Sequence, residues 1–194
     1  MKLYYAPFAC SLADHIALEE VGAAYEREAV NLKSKVTASG RDFAEITPKA
    51  YVPALVLESG ETLTENVAVL DWIASQFPQL GVQGVLGRTR MLEALTYVTT
   101  ELHHGFKPMW HGGTEEEQAK ARATLAAKLQ YVAGTLEGDF LFGDVPSAAD
   151  FYLFVMLLWA ARFHVPTPQS LEAMRERMKA RPAVQRAMTQ EGLR

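Results

Sequence analysis

The chain has 194 residues, 49% of them hydrophobic, with a single cysteine and a net charge of −4 from interspersed acids and bases. One cysteine excludes an intramolecular disulfide framework and suits a reducing compartment, the cytoplasm, while the lack of a basic footprint excludes nucleic acid as a partner. Met1 leads straight into a strand pattern with no export signal, and the most apolar run, Phe151–Ala161, falls short of the roughly 20 residues that cross a bilayer, so no membrane partner is expected.

Lys2–Tyr5 is a short apolar and aromatic run stopped by Ala6-Pro7, which predicts a buried strand and a proline turn. Ser11 with Asp14 three residues on has capping-box spacing and predicts a helix that ends near Gly22. Cys10 then stands just before that helix, where free amides and the helix dipole favour thiolate over thiol. Read alone, a single cysteine is more often a buried, inert hydrophobe. Tyr25–Val30 reads as a second strand, Asp42–Ile46 as a short helix, and Ala54–Leu57 with Glu61–Thr64 as a hairpin around Ser59-Gly60. Val67, Leu70, Ile73 and Ala74 recur at helical spacing and finish before Pro78. The order βαβαββα predicts a mixed sheet with helices packed on it.

Strand patterns stop there. Residues 79–87, with three glycines, read as a linker, which divides the chain into 1–78 and an all-helical part, 88–194. Met91, Leu92, Leu95, Val98 and Leu102 mark one helix, and Thr114 with Glu117 caps another. Ser147 and Asp150 form a further box that opens the central apolar helix, so both are expected to be structural. A last helix near Ser170–Arg181 is expected to end at Pro182.

Six fragments in order carry a resemblance over nearly the whole chain: Lys2–Leu12, Asn31–Lys35, Pro48–Leu55, Leu63–Ala68, Glu101–Phe106 and the box at Ser147–Asp150. With them the chain resembles the glutathione transferases, and within these the bacterial beta class. The resemblance implies a thioredoxin-like glutathione-binding domain, an all-helical bundle domain and a homodimer. It implies transfer of glutathione to small hydrophobic electrophiles, with glutathione as co-substrate and no metal.

Carried over residue by residue, Cys10 and His103 are the expected catalytic pair at the glutathione sulfur. Val52-Pro53 matches the family's cis-proline, which offers its backbone to the cysteinyl group; Glu65 and Asn66 match the γ-glutamyl site, and Lys35 matches a partner for the glycyl carboxylate. Tyr51, Thr96, Thr100 and His104 complete the expected glutathione set. Asn66 departs from a usual Ser, Thr96 and Thr100 from Asn and Ser, and His104 from Lys. Tyr5, Phe8, Phe106, Trp110 and Trp159 are the expected electrophile pocket. Two other readings stay open: a monothiol disulfide-exchange enzyme using Cys10, since position 13 is Ala, and a non-enzymatic binding module on the same fold.

Overall fold

The computed structural model describes residues 1–193. Five strands form one mixed sheet: β1 (Lys2–Tyr5), β2 (Glu26–Asn31), β3 (Val36–Thr37), β4 (Ala54–Val56) and β5 (Thr62–Thr64), in the order β3-β2-β1-β4-β5. β1 is parallel to β2 and antiparallel to β4, and the β4–β5 hairpin pairs Leu55 with Leu63. Alternation along β1 sorts its side chains. Leu3 and Tyr5 face the main core, whereas Tyr4 packs with Phe43, Val52 and Ala54 in a smaller core on the other side.

Two helices cover the main-core face: α1 (Leu12–Glu20) and α2 (Asn66–Gln76). The expected helix at Asp42–Ile46 is a single 3₁₀ turn, Phe43–Glu45, capped by Asp42, and β3 is an additional strand too short to leave a periodic pattern. The capping box expected at Ser11 does not form. The Ser11 hydroxyl accepts from the Ala6 amide at 3.2 Å, and Asp14 turns inward instead, fully buried.

After an irregular stretch at 81–86, α3 (Gly87–Tyr97) begins the helical part. The axis continues through a π turn at Val98–Leu102, a 3₁₀ turn at His103–Phe106 and the short α4 (Lys107–Trp110). The hydroxyls of Thr99 and Thr100 back-bond to the carbonyls of Leu95 and Thr96, at 2.9 and 3.1 Å, which loosens the regular ladder there. Gly105 lets the two elements approach closely: a Cβ at this position would lie 2.7 Å from the Leu125 side chain on α5 (Glu115–Ala133), which would have to shift. The box at Thr114 and Glu117 caps α5.

At the centre lies α6 (Ala148–Arg162), buried on all sides from Ala148 to Ala160 and packed against α1, α2 and α3. α7 (Gln169–Lys179) follows, and then α8 (Pro182–Gln190), which the sequence reading missed. Pro182 was expected to stop a helix, but it occupies the first turn of a new one, where its fixed φ and missing N–H cost nothing. Among the described residues, no helix is long and apolar enough to cross a membrane.

Candidate functional site

The turn after β1 is closed by the Ala9 amide donating to the Ala6 carbonyl at 3.0 Å, and it places Phe8 in the left-handed region, φ 62°. Side chains from the helical part hold both peptide groups of Phe8. Its N–H donates to the Glu191 carboxylate at 3.0 Å, and its carbonyl accepts from Trp159 Nε1 at 3.0 Å. Glu191 is itself paired with buried His15, whose Nδ1 lies 2.9 Å from Oε1. A loop built this way presents Cys10 from a fixed frame.

The Val52-Pro53 bond is cis, and Cys10 Sγ lies 3.8 Å from the Val52 carbonyl. Asn66 Nδ2 donates to the Cys10 carbonyl at 3.0 Å, so this side chain faces the cysteine turn, and its Oδ1 is buried without a partner among the described residues. Cys10 keeps some exposure to solvent, but the packing around it pushes its thiol up to about 12, with the Asp14 carboxyl adding to the effect. The expectation of a thiolate at rest is therefore overturned. Burial outweighs the helix-terminus field, and Cys10 is a thiol with a proton to donate. Asp14, with neither oxygen bonded among the described residues, is likewise held well above the usual carboxylate range by burial.

His103 comes from the opposite side. Its Nδ1 lies 2.6 Å from the Tyr152 hydroxyl, and burial, helped by His104 and Lys107, pushes the imidazole down to about 4. The ring is neutral at pH 7. Burial also raises Tyr152, so the phenol keeps its proton beside Nδ1, and in the tautomer in which Nδ1 accepts that proton the ring N–H is on Nε2. Tyr152 was hidden in the apolar run, where no spacing distinguishes a working hydroxyl from a core aromatic. Glu191, His15, Arg162 and Phe163 escaped the sequence reading because the groups they meet, Phe8 and Trp110 among them, are distant in the chain.

The other expected residues divide into groups. Glu65 caps α2 with φ 71° and accepts at Oε1 from Lys49 Nζ and Tyr51 Oη, both at 2.5 Å, which holds its carboxyl below the usual range. Lys35 is partly exposed and has no ion pair among the described residues. Thr96 and Thr100 line a groove of about 780 Å³ with Tyr97, Glu101 and Tyr131, and neither Cys10 nor His103 lines it. His104 is exposed beside His103, with ring centroids 6.0 Å apart.

Among the expected pocket aromatics, Trp159 stands edge-on to His103 at 5.0 Å and to Trp110 at 5.2 Å, and Trp110 meets Phe8 at 6.1 Å. Trp110 and Phe8 retain exposed surface, so they can touch a ligand. Phe106, 1% exposed, backs this wall instead of lining it. Tyr5 does not belong to it: the strand alternation turns it into the core against His15, at 5.3 Å. Asp150 acts as expected of a cap, accepting from the amides of Ser147 and Leu141 at 2.8 Å and from the Ser147 hydroxyl at 2.7 Å.

Comparison with known proteins assigns residues 9–76 to the glutathione S-transferase N-terminal domain and 114–189 to the C-terminal domain. Over the full length of both chains, the sequence is 39% identical to glutathione S-transferase GstA of Escherichia coli O157:H7. It is 40% identical to a beta-class glutathione S-transferase of Sphingomonas chungbukensis, with a TM-score of 0.91 and complete coverage of both chains. A sphingomonad glutathione S-transferase complexed with glutathione is 41% identical, with the same TM-score and coverage.

Proposed function

This chain belongs to the glutathione S-transferase family, and from that premise we propose that Cys10 and His103 flank the sulfur of bound glutathione and stabilise its thiolate for attack on a small hydrophobic electrophile. As a member of the family it is a glutathione-dependent transferase of beta-class type. The observation that carries the site assignment is the pairing of the Cys10 thiol with the cis Val52-Pro53 bend, at 3.8 Å from the Val52 carbonyl. Extended backbone at such a bend suits strand-like pairing with a tripeptide.

Both candidate groups are neutral donors, because burial has removed the thiolate from Cys10 and the charge from His103. A neutral donor stabilises a neighbouring thiolate by a charge-assisted hydrogen bond without competing for its proton. The partly exposed ammonium of Lys35 suits the glycyl carboxylate, and the first-turn amides of α2 next to Glu65 and Asn66 suit the γ-glutamyl carboxylate. Tyr51 and Lys49 hold Glu65 in place. The electrophile rests on Phe8 and Trp110, with buried Trp159 behind them. Residues 1–78 form the glutathione-binding domain and 88–194 the helical domain, joined by 79–87; the working unit is a cytoplasmic homodimer.

A thiol pushed up to about 12 supports conjugation over disulfide exchange, since exchange needs Cys10 itself as thiolate. Ultraviolet titration of the bound thiol tests the assignment. His103→Ala is expected to raise the pH at which bound glutathione ionises by about one unit, the loss of one charge-assisted hydrogen bond. An unchanged midpoint would remove His103 from the sulfur.

A further inference from the structure

Arg162, the last residue of α6, is exposed and has neither ion pair nor hydrogen bond among the described residues. Its guanidinium instead lies over three rings at once: Phe8 at 5.7 Å, and Trp110 and Phe163 at 5.8 Å. Trp110 and Phe163 stand perpendicular, 4.8 Å apart, which fixes the far end of the aromatic wall. The near end is His103, edge-on to Trp159. Phe8 is two residues from Cys10, so their Cα atoms are at most about 7.6 Å apart. The wall therefore runs from the proposed sulfur position to a cation with no anionic partner.

A cation spread over aromatic faces loses part of its hydration and keeps its full charge and five donors. That is a recognition element for a planar anion. We propose that Arg162 is a specificity-determining residue and that this enzyme prefers aryl electrophiles carrying a carboxylate remote from the reacting carbon. The ring of such a substrate stacks along Trp110 and Phe8, the reacting carbon meets the sulfur near His103, and the carboxylate reaches the guanidinium fork. The assignment rests on the transferase reading of the preceding section.

A matched pair of probes tests it: a chlorodinitrobenzoate with its carboxylate para to chlorine, and the corresponding carboxamide. In each reaction the glutathione thiol releases its proton to solvent, and the sulfur lone pair forms the carbon–sulfur bond. The carbon–chlorine bond then breaks, and chloride leaves with its electron pair. Arg162→Gln is expected to lower the carboxylate-to-carboxamide ratio of kcat/KM about fivefold, with the change carried by KM, the scale of one exposed charge-assisted contact. Arg162→Lys should restore part of the ratio, and added salt should lower it in the wild type. A ratio unmoved in Arg162→Gln, with both probes turned over, sinks this assignment alone; no turnover of either probe by the wild type sinks the transferase reading with it.

Discussion

At Cys10 and His103 the same cause acts on two groups with opposite results, since burial favours the uncharged form of each: the thiol is pushed up and the imidazole down. For His103 this has a signed consequence. A base whose folded value falls from 6.5 to about 4 takes up its proton more readily in the unfolded chain, so the contribution to stability is complete above 6.5 and lost as pH falls toward 4. Urea titrations across that window should show the wild type losing more stability than His103→Gln, with no extra loss above it. Equal losses would mean that the ring is solvated. The position of Cys10 was legible in the sequence, but its protonation was not. The groups that bury it lie on α1, α2 and the bend at Val52, and no local pattern reports their convergence.

Capping shows at the level of elements why some boundaries were readable and others were not. The boxes at Thr114 and Ser147 form, with Glu117 and Asp150 each accepting from the cap residue three positions back. At Ser11 the amide of Ala6 takes the hydroxyl, and the motif does not close. The box at Asp150 does more than its spacing indicated, because it also accepts from Leu141, nine residues away. Asp150→Ala leaves two buried amides unpaired and should cost about 2–4 kcal/mol, whereas Asp150→Asn, able to accept only at one oxygen, should cost less. Denaturant midpoints of the two variants check the order; equal midpoints would show that the Leu141 contact is unimportant. β3 and α8 were illegible for different reasons. Two residues hold no period, and a proline at the start of a helix has the same appearance as one that ends it.

Over the whole molecule, the division into a sheet part and a helical part was plain from where alternation stops, but the manner of their joining was not. α1 packs on both α6 and α8, and the cysteine loop is bonded from each. Glu191 is the nexus, receiving the Phe8 amide and His15 from the other end of the chain. Its replacement by Ala leaves that part-buried amide and buried His15 without their shared partner, and is expected to cost about 1–3 kcal/mol and to raise KM for glutathione. Urea melts and initial rates measured on the same preparation check both effects. A stability loss without any change in KM would separate the joint from the site.

The over-wide turn at Val98–Leu102 sets one further property. Each residue of an α-helix advances about 100° around the axis, and five residues wound more loosely accumulate roughly a quarter turn of lag. Without that lag the imidazole of His103 would leave its axis on a bearing other than the one that meets Tyr152. The compass heading of the site is stored in a backbone irregularity that ends one residue before His103.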